Sequence, residues 1–128
     1  MPAQIHAQFQ ITSWDETPFD DGPGVAKLTE ALVGKKYTGE IEGTSTTKWL
    51  MAYPPDGTAA FVGLERIRGA VSGKHGSLVL RHVGTFENGS ADAALTVISG
   101  TNELKAASGS GDLIANPAGS ITLDLIFE

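Results

Sequence analysis

Glu65 and His82 are the two residues of this 128-residue sequence whose types and spacing point most directly to chemistry. Both fall on the strand parity that carries apolar side chains in the segment 63–82, so they are expected to face one interior. A carboxylate beside an imidazole in a partly dry cavity can act as a general acid–base pair, because the carboxylate orients the ring and raises its pKa. We therefore take them as candidate catalytic residues. The same two side chains could instead contact a ligand, or form a satisfied polar pair that closes the core.

The segment 61–86 must position this pair, and it predicts a hairpin of two strands. With a turn centred on residues 74–75, Ile67 lies opposite His82 and Glu65 lies opposite Gly84. The apolar faces of the two strands then coincide, which supports this register. Glu65 and His82 become diagonal neighbours, about 7 Å apart at the backbone and within reach of each other's side chains.

A set of aromatic side chains could surround the same interior and hold a small planar or lipid-like ligand. We take as candidate ligand-binding residues Trp14, Tyr37, Trp49, Tyr53, Phe61 and Phe86. In the stretch 37–53, the aromatic residues at odd positions and the charged residues at even positions lie on opposite sides of the pleat. Aromatic side chains also fill barrels that hold no ligand, so this pattern leaves both interpretations open.

Period-two alternation extends over most of the rest of the chain, and it predicts strands at residues 4–14, 25–33, 37–53, 91–98, 103–107 and 120–127. The segment 25–33 also fits a helix that stops at Gly34, but the surrounding strands favour a strand. The stretch 37–53 is expected to bend or break at Gly43. Glycine, proline, asparagine and acidic residues predict turns or loops at residues 15–24, 54–57, 88–89 and 108–120.

About eight strands joined mostly by short turns, with little helix, predict an all-β fold. The sequential connections favour a single eight-stranded antiparallel up-and-down (meander) β-barrel, in one domain that spans residues 1–128. The interior of an eight-stranded barrel is wide enough for packed side chains or for one small ligand.

Composition excludes several classes of site and partner. The formal charge is −6, and no cationic cluster exists beyond Lys35-Lys36, which is expected to be a solvated turn, so we expect no nucleic-acid partner and no membrane partner. No apolar stretch approaches the roughly 20 residues of a membrane span, and no signal-peptide pattern is found, so a cytoplasmic location is expected. The chain has no cysteine, which excludes disulfides and thiolate chemistry. His6 is expected to face outward and His75 to lie in a turn, so we expect no metal site and no cofactor.

The chain resembles a known family in several stretches that occur in order, namely YTGEIEG at 37–43, FVGLER at 61–66, GKHGSLVLRHVG at 73–84 and GTNEL at 100–104. That family is the uncharacterised domain of unknown function 3224. The resemblance covers nearly the whole chain, and it implies an allene oxide cyclase-like barrel, an eight-stranded antiparallel meander. The run GTNEL and the pair Gly73-Lys74 depart from the usual family pattern. The family has no settled activity, so cyclases of similar shape are an analogy at the level of the fold.

Two functions from different classes follow for such a barrel. The first is a small-molecule-binding protein that holds an apolar or amphipathic ligand in its lumen, with Glu65 and His82 as polar contacts. The second is an enzyme of the cyclase or isomerase type, in which the same pair assists proton transfer. A third interpretation is a structural domain without a ligand. Outward-facing apolar residues predict an interface between copies of a homo-oligomer: Val62, Leu64, Val79 and Val83.

Overall fold

The computed structural model describes residues 3–115 and 118–127, and these residues form an all-β fold. Eight strands follow one another along the chain: β1 (Ala3–Asp20), β2 (Lys27–Gly39), β3 (Ile41–Tyr53), β4 (Ala59–Val71), β5 (Lys74–Glu87), β6 (Ser90–Gly100), β7 (Ala107–Ala115) and β8 (Gly119–Phe127). A 3-10 helix, Asn102–Leu104, lies between β6 and β7. Within the described ranges, no helix is long and apolar enough to cross a lipid bilayer.

Each strand pairs antiparallel with the next one in the chain, and β8 pairs with β1, so the strands close into a ring. The all-β class, the eight antiparallel strands and their sequential connections are therefore confirmed. Closure satisfies backbone hydrogen bonds on both sides of each strand over much of its length, and it removes the open edges of a flat sheet. The apolar core fills the interior of this ring.

The hairpin of β4 and β5 has a different register from the predicted one. Its turn lies at Ser72–Gly73, where both residues have positive φ angles of 50° and 79°, and not at residues 74–75. A tight turn of this kind matches the twist of the strands that it joins. Glu65 consequently pairs with Leu80 and not with Gly84. The shift is an even number of residues, so the inward faces are unchanged and Glu65 remains a diagonal neighbour of His82.

Three other segments also differ from the sequence prediction. Residues 15–20 continue β1 instead of forming a turn, because they pair with β2 as far as Leu28. Residues 103–107 lie mainly in the 3-10 helix and the turn after it. Residues 108–115, predicted as a loop, belong to β7, since β6 and β8 supply hydrogen-bond partners on both sides to a segment of low intrinsic strand propensity. Residues 116–117 of that predicted loop lie outside the described residues.

The boundaries of β2 and β3 resolve two points about the segment 25–33 and the stretch 37–53 that the sequence left open. Residues 27–33 are strand, as expected, and Gly34 is an interior residue of β2 and not the end of a helix. The break in the second stretch lies between the end of β2 at Gly39 and the start of β3 at Ile41, and not at Gly43. The Asn88–Gly89 turn is confirmed, with φ angles of 54° and 78°.

The outer surface of the ring carries part of the apolar row that predicts an interface. Val62, Leu64 and Val83 are 47%, 55% and 52% exposed, so they do point away from the core. Val79 is partly buried. Association of copies through this face stays a prediction.

Candidate functional site

Glu65 is the centre of a buried polar cluster inside the ring. Its carboxylate accepts a hydrogen bond from His82 Nε2 at 2.8 Å and one from Lys35 Nζ at 3.3 Å, both on Oε1. The hydroxyls of Tyr37 and Ser45 donate to the other oxygen, Oε2, each at 2.6 Å. The side chains of Glu65, Lys35 and His82 have no exposed surface. Four donors therefore replace the water that the carboxylate loses on burial, as a buried charge requires.

Four consecutive strands bring this cluster together, because its members occupy inward positions at neighbouring levels of the ring. Lys35 and Tyr37 come from β2, Ser45 from β3, Glu65 from β4 and His82 from β5. Adjacent strands in an antiparallel sheet hold paired residues on the same face, so inward residues on consecutive strands meet directly or diagonally.

Lys35 contradicts the prediction of a solvated turn at Lys35-Lys36. It is 1% exposed, and its ammonium lies 4.6 Å from the ring centroid of Phe9 and 4.9 Å from that of Trp49. Such cation–π contacts stabilise a charge where water is excluded. The sequence does contain a signal for this burial, because Lys35 shares its parity with Val33 and Tyr37, which are also inward.

The charges of the cluster stabilise one another against the cost of burial. Burial raises the pKa of Glu65, but the Lys35 cation and the hydrogen bonds from His82 and Ser45 outweigh this effect and lower it to about 2. Burial lowers the pKa of Lys35, and the attraction of Glu65 only partly reverses that change. Glu65 is therefore ionised at neutral pH, and its negative charge is what the surrounding donors are arranged to hold.

His82 is held in one neutral tautomer by its two partners. The indole nitrogen of Trp49 donates to His82 Nδ1 at 3.2 Å, because an indole N–H is only a donor. Nε2 must then carry the ring proton that is donated to Glu65. Burial, the largest effect, lowers the pKa of His82, and the Lys35 cation also lowers it. Glu65 raises it, but the net change in pKa is downward. The neighbouring carboxylate raises this pKa, as expected, but desolvation of the imidazolium lowers it by more.

A separate aromatic cavity of about 350 Å³ opens at one end of the ring. Four of the six predicted ligand-binding residues line it, namely Trp14, Trp49, Phe61 and Phe86. The other two do not. Tyr37 belongs to the Glu65 cluster, and the Tyr53 hydroxyl donates to Glu16 Oε2 at 2.6 Å.

The cavity has a buried floor and a half-exposed mouth. Trp49 and Phe61 are 6% and 4% exposed, and their ring centroids are 5.2 Å apart. Trp14 and Phe86 at the mouth are 45% and 40% exposed. The rings of the floor are therefore fixed by packing, whereas the rings of the mouth face both the cavity and the solvent.

Two glycines make room for the rings of the floor. Gly63 pairs with Trp49, and a Cβ atom at this glycine would lie 2.7 Å from Cδ1 of the indole. Gly84 pairs with Phe61, and a Cβ atom there would lie 2.7 Å from Cζ of the ring. Each glycine thus leaves no room for a Cβ atom, because the ring of the paired residue and a backbone carbonyl oxygen, of Lys48 at Gly63 and of Asp92 at Gly84, both approach it closely.

An irregularity in β1 turns Trp14 toward the cavity. The register of β1 against β2 shifts between Ile11 and Ser13, so Trp14 pairs with the inward residue Val33. Such a bulge reverses which parity of the strand faces inward. The indole N–H of Trp14 then donates to Glu16 Oε1 at 3.0 Å, which fixes the ring at the mouth.

Trp49 and Phe9 lie between the aromatic cavity and the Glu65 cluster, because both line the cavity while Trp49 donates to His82 and the Phe9 ring lies 4.6 Å from the Lys35 ammonium. Glu65 and His82 are in contact with each other, as the sequence predicted, but neither of them lines the cavity. A molecule in the cavity meets apolar side chains, and the indole of Trp49 lies between it and the imidazole. In the described part of the chain, no group of three or more His, Asp or Glu side chains is placed to hold a metal ion.

Comparisons with known proteins identify relatives without a known activity. A family model described as "Protein of unknown function (DUF3224)" matches residues 5–127. The chain is similar to a crystal structure of a protein with unknown function from the DUF3224 family of Shewanella oneidensis MR-1. That similarity has 26% sequence identity and a TM-score of 0.80, and it covers 100% of this chain and 99% of the other. No curated protein matches the chain.

Proposed function

We propose that this chain, which belongs to the DUF3224 family of proteins of unknown function, binds a small apolar or amphipathic molecule in its aromatic cavity. The observation that carries the proposal is the cavity of about 350 Å³ whose floor is made of Trp49 and Phe61 and whose mouth is made of Trp14 and Phe86. We also propose that the architecture is an allene oxide cyclase-like barrel whose lumen opens at the cavity end. The closed ring of sequential strands supports this proposal.

The size and the lining of the cavity support binding of one small molecule. Small-molecule sites typically measure about 300–1,000 Å³ and are lined mainly by apolar and aromatic side chains. A larger depression of about 540 Å³ adjoins the cavity, shares Phe9, Ile11 and Ala115 with it, and includes the exposed polar side chains of Gln8, Gln10 and Lys36. We favour the smaller cavity because five aromatic rings line it and can remove a ligand from water, whereas among the described residues Phe9 is the one aromatic side chain that lines the larger depression.

The mouth of the cavity also supports the proposal. Ile11, Trp14 and Phe86 are each at least 40% exposed, and all three line the same opening. Clustered exposed apolar side chains are costly in water, and they commonly mark a binding site. An amphipathic ligand would place its apolar part against Trp49 and leave its polar end at this mouth.

In this proposal, Glu65 and His82 support the floor of the cavity and do not contact the ligand. His82 accepts the indole hydrogen bond that fixes Trp49, and Glu65 holds His82. The alternative, a cyclase or isomerase that uses this pair for proton transfer, requires a substrate to displace Trp49. The complete burial of both side chains makes ligand binding the function that the geometry supports better.

Titration with the uncharged probe N-phenylnaphthylamine tests the proposal, because the emission of this probe rises in an apolar site. We expect saturable binding of one probe per chain. Ala91→Phe should abolish it, because Ala91 lines the cavity and the added ring fills the space. Ala94→Phe is the matched control, since Ala94 lies on the outer face of the same strand and should leave binding intact. No binding by the unmodified protein, or equal binding by both variants, would refute the proposal.

A further inference from the structure

We propose that protonation of His82 loosens the aromatic cavity through Trp49, so that the affinity for a bound ligand falls as the pH falls. This inference rests on the proposed function, because the affinity in question is that of the aromatic cavity. It gives the buried polar cluster a regulatory role, although Glu65 and His82 do not line the cavity and would act on the ligand through Trp49.

Trp49 connects His82 of the polar cluster with the floor of the aromatic cavity. Its indole N–H is bonded to His82 Nδ1 at 3.2 Å, on the side of the polar cluster. Its ring lies 5.2 Å from that of Phe61 and 5.6 Å from that of Trp14, on the side of the cavity. Any displacement of the indole therefore changes the floor and the wall against which a ligand packs.

The hydrogen-bond pattern leaves one place for a second proton on His82. Nε2 already carries a proton, which it donates to Glu65 Oε1 at 2.8 Å. A second proton must go to Nδ1, where it would face the N–H of Trp49. Two donors facing each other have no acceptor between them, and each is left unsatisfied in a buried site. Protonation therefore breaks this hydrogen bond and drives the indole and the imidazole apart.

The groups that face His82 determine where on the pH scale this happens. Glu65 on β4 favours the imidazolium, and Lys35 on β2 opposes it. Trp49 on β3 supplies an uncharged donor, and Leu95, which pairs with His82 from β6, supplies no charge. Burial is the largest effect and lowers the pKa of His82, so the neutral ring persists at neutral pH and protonation belongs to the acidic range.

Binding and protonation must affect each other equally. A ligand that packs on Trp49 holds the indole in place, which favours the neutral ring and lowers the pKa of His82 further. By linkage, protonation lowers the affinity for the ligand by the same factor by which the bound ligand lowers the affinity of His82 for the proton. The cavity would thus hold its ligand near neutral pH and release it in an acidic environment.

Titrating N-phenylnaphthylamine from about pH 8 to about pH 4 tests the inference, because burial lowers the pKa of His82 below the ordinary value of histidine, and the range must extend well below that value. We expect the affinity to fall by about tenfold or more at the acidic end, within the range found for coupled sites. In His82→Gln, the side-chain carbonyl can accept from Trp49 and the amide can donate to Glu65, so binding should become independent of pH. His75→Gln removes an exposed histidine and should keep the full pH dependence. Equal pH dependence in unmodified protein and His82→Gln, or none in either, would overturn the inference.

A second measurement needs no probe, and it separates failure of this inference from failure of the proposed function. Trp14→Phe leaves Trp49 as the single tryptophan, since the chain has two. We expect its fluorescence to change with pH, with the midpoint at which His82 titrates by NMR, while circular dichroism shows that the strands stay folded. If no probe binds but this midpoint is found, the coupling of His82 to Trp49 stands and the cavity is not a site for that probe. If Trp49 fluorescence stays constant while His82 titrates, the coupling is refuted.

Discussion

Replacing Glu65 with glutamine tests whether the buried charge holds the interior of the ring together. The substitution keeps the size of the side chain and removes its charge. The Lys35 ammonium then loses its carboxylate, although its side chain has no exposed surface. The hydroxyls of Tyr37 and Ser45 also lose the charged oxygen to which both donate at 2.6 Å. The expected result is a large loss of stability with the fold retained.

Two routes give a similar magnitude for this loss. Removing one partner of a buried ion pair costs about 3–5 kcal/mol, because the other charge is left buried and unpaired. Independently, the pKa of Glu65 falls from its ordinary 4.5 to about 2 on folding. That difference corresponds to about 3 kcal/mol of stability, which is present above the unfolded pKa and is lost as the pH falls through this window. Domains of this size have about 5–15 kcal/mol in total, so the variant should lower Tm by roughly 10–20 °C.

Urea unfolding at neutral and acidic pH measures both parts of the effect. Glu65→Gln should lower the unfolding free energy at pH 7 and should lack the loss of stability between about pH 4.5 and about pH 2 that Glu65 causes in the unmodified protein. Glu30→Gln is the matched control, because Glu30 and Lys48 form an ion pair 3.7 Å long whose side chains are 47% and 56% exposed. It should cost less than about 1 kcal/mol. Adding Lys35→Met to Glu65→Gln should restore part of the stability, because no unpaired charge remains. A cost for Glu65→Gln no greater than that of the control would refute the reasoning.

Two further substitutions and one pH titration test the cavity, a turn and the tyrosine hydroxyls. Gly84→Ala should destabilise the protein by about 1–3 kcal/mol and should weaken probe binding, because its methyl group would clash with the carbonyl oxygen of Asp92 and lie 2.7 Å from the ring of Phe61, so that both the backbone of β6 and the ring must shift; unchanged unfolding and unchanged probe binding would contradict the account of the cavity floor. Gly89→Ala should cost about 1 kcal/mol in urea unfolding for a conformational reason alone, since its φ is 78° and no atom other than those of its chain neighbours lies within 4 Å of the added carbon. Absorbance at 295 nm should show no tyrosinate below about pH 11, because burial and the carboxylate of Glu16 raise the pKa of Tyr53 to about 12, and burial and Glu65 raise the pKa of Tyr37 well above its ordinary value; a tyrosine that titrates near pH 10 in the folded protein would show that its hydroxyl is solvated.

The contact between Glu65 and His82 could be predicted from the sequence because parity places both residues inward and the error in register was small. The residue opposite Glu65 is Leu80 and not the predicted Gly84, and His82 lies two positions from either one, so it is a diagonal neighbour of Glu65 in both registers. The prediction of the turn was wrong by two residues at its centre, yet the pair still meets. Parity is a property of the residue order, so it survived an error in register.

The separation of this pair from the cavity could not be predicted in the same way. Parity states which side chains point inward, but it does not state the level in the ring at which each one lies. The levels follow from the stagger of all eight strands and from the bulge in β1 between Ile11 and Ser13. Only these features place Trp49 between the aromatic cavity and His82, and they also divide the predicted aromatic set between the cavity, Glu65 and Glu16.

The residue order by itself determined the all-β class, the sequential order of most of the strands, the inward face of the hairpin and the family, since these depend on local alternation and on glycine and turn positions. The tertiary structure decided that Lys35 is buried, that desolvation lowers the pKa of His82, and that a strand rich in glycine and serine forms at Ala107–Ala115. Each of these depends on partners from strands that are distant along the chain. Burial and hydrogen-bond satisfaction are properties of the closed ring, and no single segment contains them.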